Sequence, residues 1–351
     1  MTPTRRHLLG AAAALALLPT RAAEALTLTV AMPRTPARVA FLSRDDAAAF
    51  LARPDDTYYA RMSLQEIRAR MTSPLIDLSL ADARVAVRDE DAAGALAFTD
   101  EETVAIRGVI ERMQALLETR APLYARTPWS FIKLDDDVEG GLMHTRGPHI
   151  VMPQSVVDQY TAMHREMSAA GKLAATPRGR HGLLHEQTHV LERADPARFE
   201  ALFTQVFGFV RMPRAPASAW LEERVGTNPD GPDMVWAFPL DRIGGQGWVM
   251  PAVIFPDVPL PRMPQDFTIV GIEVAPGDGG WRILEDGGRP RRRELATIPG
   301  YDAHFPFPDE DFHPNEIAAV TLAHWILQDV PDLDKRPLMT AVDAWAKTAL
   351  A

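Results

Sequence analysis

The sequence predicts an α+β fold, on three observations. Apolar residues recur at helical spacing through most of the first third of the chain and again near its C-terminus. Two short β-type runs, Trp129–Leu134 and His149–Met152, sit between Pro and Gly, and strand-like segments rich in Gly and Pro fill about 234–300. With 351 residues, 46% of them apolar, the chain can bury a sizeable core. The organisation read from it is a signal segment at 1–25, a mainly helical part at 26–126, and a larger domain at 127–351 carrying a β-rich insertion at about 234–300. There is no internal repeat.

Taken in order, Arg5-Arg6 precede an apolar run from Leu8 to Leu18, then Pro19 and the small residues Ala22-Ala23-Glu24-Ala25. This is the three-part layout of a secretory signal, with cleavage expected after Ala25. The paired arginines resemble a twin-arginine export signal, and an ordinary secretory signal whose arginines supply only charge is the alternative. Both readings make the mature chain periplasmic or secreted. The apolar run is too short to span a bilayer, so no membrane span is expected once it is removed.

Asp45–Leu51 and Tyr58–Met71 read as helices. Thr99-Asp100-Glu101-Glu102 opens a capped helix on which Val104, Ile106, Val109, Ile110, Met113 and Leu117 share the apolar face. Gly140-Gly141 marks a turn between the first two strands. Further helices are expected over Ser155–Ala169, from Thr176-Pro177, from Asp195-Pro196 with the stripe Phe199, Leu202, Phe203, Val206 and Phe207, from His313-Pro314 to about Leu327, and from Pro337. Within the insertion, Trp248–Phe255, Phe267–Val274 and Trp281–Leu284 read as strands.

Lys and Arg number 37 against 47 acidic residues, a formal net charge of -10, which argues against nucleic acid or an anionic membrane as the main partner. Three cations and one anion leave with the signal, so the mature chain is more acidic still. There is no Cys, so a disulfide framework and a thiolate metal site are both excluded. Any transition metal must be held by imidazole and carboxylate.

Leu183-Leu184-His185-Glu186-Gln187-Thr188-His189-Val190-Leu191 carries His-Glu-x-x-His with no Pro or Gly inside it. On a helix, residues four apart lie one above the other, so both imidazoles can reach one metal ion, with Glu186 beside it as general base. Zinc lowers the pKa of coordinated water towards neutrality, and a nearby carboxylate then completes a hydroxide-like nucleophile. The apolar pairs on either side imply a buried helix, where a histidine needs a partner.

These nine residues resemble the metal helix of the zincin superfamily of zinc metallopeptidases. The resemblance implies an α+β zincin-like catalytic core in the domain at 127–351, a Zn2+ cofactor, a peptide or protein substrate, and an edge strand that pairs with it, for which Gly147–Met152 is the expected counterpart. A catalytic zinc takes three protein ligands and keeps one open position. The third His of metzincins is absent after His189, so a carboxylate is expected. Gluzincins take a Glu from a second, downstream helix, and Glu316 in His313-Pro314-Asn315-Glu316 matches that placement at an unusually long spacing. Glu222, Glu223 or an Asp are the alternatives, and helix capping is the plain competing reason for Glu316.

Tyr301 and His304, shortly before that helix, are the candidates for stabilising a tetrahedral oxyanion. His313 has two readings, support for a ligand or capping of its helix. No spacing singles out His144, His149, His164, His181 or His324. Asp135-Asp136-Asp137 lacks a calcium-loop pattern and reads as a solvated turn. Arg289 to Arg293 reads as an exposed basic loop, and Asn228-Pro229-Asp230-Gly231-Pro232 as a turn shaping a cleft wall. The expected function is an exported zinc metallopeptidase. Hydrolysis of a non-peptide amide or ester, and a catalytically silent zincin scaffold that only binds, are the alternatives.

Overall fold

The computed structural model describes residues 38–351 except 55, 72–77, 170–177, 215, 217, 232–235, 278–279, 306 and 308–311. The signal segment and the helix start at Thr176-Pro177 lie outside the described residues. The chain is α+β. Among the described residues no helix is long and apolar enough to cross a membrane.

Strand β1 (Val39–Phe41) leads into four helices, α1 (Arg44–Leu51), α2 (Thr57–Arg61), α3 (Leu64–Arg70) and α4 (Leu80–Ala93). Strand β2 (Ala95–Leu96), α5 (Asp100–Arg120) and α6 (Pro122–Arg126) follow, then β3 (Trp129–Leu134), β4 (His144–Arg146) and β5 (His149–Pro153). These five strands form one sheet in the order β1-β3-β5-β4, with β2 also on β3. Strands β1, β3 and β5 run parallel, and β4 runs antiparallel to β5. The segment before residue 127 therefore supplies two strands as well as helices. Neither was expected, because two or three residues are too few to show alternation.

Side chains of the sheet alternate between two cores, as the two-residue strand period requires. Trp129, Phe131, Ile150 and Met152 enter the main core, while Ile132, Leu134 and Val151 enter a smaller one with Ala47 and Leu51 of α1. In α5, Ile106, Val109, Ile110, Met113 and Leu117 are buried, whereas Val104 falls on the solvent side at 53% exposure. Thr99 caps α5 as expected, and Glu102 returns the bond to the Thr99 N–H at 2.7 Å. The same carboxylate also receives Lys133 Nζ of β3 at 2.8 Å, tying helix to sheet.

The expected single helix over Tyr58–Met71 is corrected to the pair α2 and α3. Ser63 adopts extended backbone and accepts the Glu66 N–H at 3.1 Å, and an N-cap residue in that conformation ends the preceding helix. Gly147–Met152 is corrected as the edge strand: β5 lies between β3 and β4, and β4 is the edge. A tight turn at Gly147, φ +56°, folds β4 back on β5 so that Arg146 pairs with His149. Three polar residues in a row, all buried, gave β4 no apolar signature. Its Arg146 lies over both the Tyr58 and Tyr59 rings, 4.1 and 4.5 Å from their centroids, and pairs with Asp56 at 2.5 Å. This clamp fixes α2 against the sheet edge.

After β5 come α7 (Gln154–Ala169), α8 (described from Arg178 to Ala194) and α9 (Pro196–Ala201), which Asp195 caps. Strand β6 (Val210–Arg211), α10 (Ala219–Glu222) and β7 (Val225–Gly226) precede β8 (Trp236–Pro239), β9 (Trp248–Ile254) and β10 (Thr268–Gly277). Short strands β11 (Gly280–Ile283), β12 (Glu285–Asp286), β13 (Arg289–Pro290) and β14 (Arg292–Glu294) complete this region. The second sheet runs β11-β10-β9-β8-β6, with β14 on β10 and β7 on β9. One of its faces packs Met250, Ala252, Ile254, Val270, Ile272 and Val274 together, and Val249 on the other face joins the main core. Helices α11 (Tyr301–His304), α12 (Pro314–Leu327) and α13 (Pro337–Ala349) end the chain. Helix α12 packs along α8.

Two outcomes are expected. Thr99→Ala should cost about 1 kcal/mol through loss of the reciprocal cap, read as a lower denaturation midpoint at unchanged denaturant slope. His149 stacks edge-on against Phe50 and shares a 2.7 Å hydrogen bond with Ser130 Oγ, and burial, then Arg53, push its pKa down to about 4 from 6.5. Below pH 6.5 the unfolded chain takes up a proton that the folded ring resists, so this contribution to stability is complete above 6.5 and declines as pH falls towards 4. His149→Gln should make the thermal midpoint fall less steeply across that window, and an unchanged slope would contradict the assignment.

Candidate metal centre

Helix α8 is core-facing where the chemistry lies: Leu183 and Leu184 are fully buried, and Val190 and Leu191 nearly so. His185, Glu186 and His189 are buried with them, at 5%, 2% and 0% exposure. One helical turn separates the two imidazoles, whose ring centres are 4.9 Å apart.

The third component arrives from α12. His313 caps that helix by accepting the Asn315 N–H, Pro314 fills its first turn, and Glu316 follows as the residue a capped helix favours there. Glu316 does more than cap, because its Oε2 lies 3.2 Å from His185 Nε2 and 3.5 Å from His189 Nε2. Ligand atoms of His185, His189 and Glu316 all fall within 4.8 Å of one another. Glu222 and Glu223, the alternatives, are exposed, and Glu223 pairs with Arg224. They belong to a different surface.

Neighbouring residues select which atoms of this trio face inward. His189 Nδ1 donates to Glu192 Oε2 at 3.0 Å, leaving Nε2 unprotonated in the neutral ring and without a hydrogen bond among the described residues. Asn228 Nδ2 donates to Glu316 Oε1 at 2.7 Å, leaving Oε2 to the two imidazoles. Two imidazole nitrogens and a carboxylate oxygen, converging in a buried place, fit a divalent transition metal. Burial opposes ionisation of Glu316, yet the His189 and His185 rings hold its carboxyl well below the ordinary carboxylate range. Burial likewise opposes protonation of His189, but Glu316 and Asp230 carry its pKa well above the ordinary histidine value. The place is therefore one that holds positive charge between its donors.

No family model, curated protein or solved structure matches the chain.

Glu186 has one carboxylate oxygen buried with no hydrogen bond among the described residues. Burial, and then the like charge of Asp230, push its pKa up to about 8. Asp230 is a member that sequence reasoning placed only in a turn: a carboxylate oxygen of Asp230 comes within 4.8 Å of ligand atoms of both Glu186 and His189. Its Oδ1 accepts the Thr145 hydroxyl at 2.8 Å and the Thr145 N–H at 2.5 Å, so edge strand β4 and the 228–231 turn are held together across the site. Arg193, from the last turn of α8, adds bonds to the Thr145 and Pro229 carbonyls. Gly231 passes so close to Asn315 that a Cβ would stand 2.6 Å from its amide nitrogen, so a larger residue would have to displace the Asn315 side chain.

Glu192 could have been found from its place one turn after His189 on the same face. Asn228 and Asp230 were legible only as turn residues, and His144, which lines the same cavity as His185, Glu186 and Glu316, carried no signal. Tyr301 and His304 are corrected as oxyanion candidates, since neither lines that cavity. Tyr301 is fully buried against Phe238 and Phe305, and the His304 ring packs on Phe305 at 4.8 Å. The aromatic core has captured them. Asp135, Asp136 and Asp137 are an exposed turn whose Asp136 accepts the Ser155 N–H, and Arg291 and Arg293 pair with Asp286 and Glu273 at the surface.

Asn228→Ala should weaken divalent-cation affinity about 10- to 100-fold by freeing the second oxygen of Glu316, measured by competition with a chromogenic chelator. Unchanged affinity would remove Asn228 from that supporting role.

Proposed function

We propose that the chain is an exported zinc-dependent hydrolase of zincin-like type, acting on peptide bonds, with His185, His189 and Glu316 as metal ligands. The observation that carries this reading is the convergence of three donors from two helices beside Glu186, a buried carboxylate with an oxygen left unbonded. A structural role for the two histidines does not call for that extra carboxylate. Two imidazoles and one carboxylate suit zinc over harder cations. When bound there, zinc would supply Lewis-acid polarisation of a carbonyl and a lowered pKa for water.

The chain's own residues divide the remaining work. Glu186 takes the proton of the attacking water and returns it to the leaving amine, and a cation beside it favours the ionised form needed for the first step. Glu192 and Asn228 hold the ligating atoms in orientation. Asp230, Thr145 and Arg193 join β4 to the 228–231 turn, with Asp230 beside Glu186. Export rests on the charged, apolar and small-residue layout of residues 1–25.

Glu186→Gln should keep stoichiometric zinc and lose about 10²- to 10⁴-fold in turnover of a mixed peptide library. His189→Ala should lose the metal itself, read by elemental analysis. A Glu186→Gln protein that retains metal and full hydrolysis would refute the assignment of the base. Cleavage of small esters or amides without any peptide cleavage would leave the metal chemistry standing and replace the substrate.

A further inference from the structure

Four carboxylates line the cavity beside the metal centre, Glu139, Glu186, Asp230 and Glu316, against one arginine, Arg70. That arginine is already engaged, since it pairs with both Glu139 and Glu66. Glu316 faces the two imidazoles with one oxygen and Asn228 with the other. Glu186 and Asp230 have no ion-pair partner among the described residues, and Glu186, 2% exposed, keeps an oxygen without a hydrogen bond. A divalent ion held by Glu316 and two neutral imidazoles would keep one positive charge, which Glu186 offsets. Asp230 is the charge left over.

Asp230 is partly exposed, and only one of its oxygens is in use: Oδ1 accepts the Thr145 N–H and hydroxyl, while Oδ2 takes no hydrogen bond among the described residues. Arg193 acts on it through space alone, because its nitrogens bond the Thr145 hydroxyl and the Thr145 and Pro229 carbonyls, and Glu192 offsets that cation in turn. Across the cavity stand Val253, Phe255, Phe267, Ile269 and Phe312. An unmatched carboxylate next to apolar surface favours an occupant that brings a cation. In a peptide, the α-nitrogen of a residue lies about 2.5 Å from that residue's own carbonyl carbon. A carbonyl placed for attack beside Glu186 therefore carries its α-nitrogen into reach of Asp230, whose carboxylate oxygen is within 4.8 Å of ligand atoms of Glu186 and His189.

Resting on the hydrolase reading above, we propose that Asp230 anchors the free α-ammonium of the substrate, which makes the enzyme an aminopeptidase acting on unblocked N-termini. Water adds across the first peptide bond, and the products are a free amino acid and a peptide one residue shorter. An acylated or internal α-nitrogen brings no charge to Asp230 and leaves the carboxylate unmatched, which costs more than the missing contact alone. The cavity, about 160 Å³, has room for the side chain of that first residue against its apolar wall.

The test is equilibrium binding to the full-length, zinc-loaded protein, followed by titration calorimetry, with leucine hydroxamate and N-acetyl-leucine hydroxamate as probes. Both carry the same metal-seeking group and side chain, and only the first carries an ammonium. Binding needs no turnover, so a failure to hydrolyse peptides leaves this measurement intact. The expected result is a preference of about 10-fold or more for the free amine, lost in Asp230→Asn, whose amide oxygen can still accept from Thr145 and which still binds the acetylated probe. Equal or tighter binding of the acetylated probe by the unsubstituted protein, a preference that survives Asp230→Asn, or loss of both probes in that variant would each overturn the proposal and leave the metal chemistry standing. A second equivalent of zinc that disappears in Asp230→Asn would overturn it too, by giving the unmatched charge to a metal. Binding of neither probe by the unsubstituted zinc-loaded protein would overturn the hydrolase reading together with this one.

Discussion

Glu316 sits in the first turn of a helix buried from Pro314 to Ala323, and a lone carboxylate in such surroundings would be strongly disfavoured. Its ionised state is held by groups from elsewhere in the chain: two imidazoles of α8 on one oxygen and the Asn228 amide on the other. The packing of α12 along α8 and the path of the 225–231 segment are thus tied to a single charge. Removing any one partner leaves the others facing an imbalance in a low-dielectric interior, where such imbalances cost most. The architecture around the centre follows from that requirement.

Much of this is legible in the sequence, for a physical reason. Helical periodicity is local, so His185 and His189 advertise a shared face within nine residues, and Glu316 follows Pro314 in a start signal equally local. The capping box of α5 and the apolar alternation of β3 and β5 are legible in the same way. The coarse α+β class needed only these patterns.

What stayed hidden was set by tertiary contacts. Strand β4 is His-Thr-Arg, three polar residues that are buried because other parts of the chain satisfy them, and no alternation could disclose that. Asn228 and Asp230 belong to a turn by composition, and their second role depends on α12 lying beside them. Tyr301 and His304 lie near Glu316 in sequence, yet an aromatic cluster pulls their helix into the main core and away from the cavity. Proximity along a chain says little about which face of a short helix meets which neighbour.

The Arg146 clamp bears on how the molecule could be divided. A fragment beginning at residue 127 would retain every group of the candidate metal centre but lose Asp56, Tyr58 and Tyr59, stranding the Arg146 guanidinium in β4. It would also bare the flank of β3 that β1 and β2 cover, offering unpaired backbone to any neighbouring chain. The helical prelude is therefore inseparable from the half that carries the histidines, and trimming it would favour self-association over a smaller working unit.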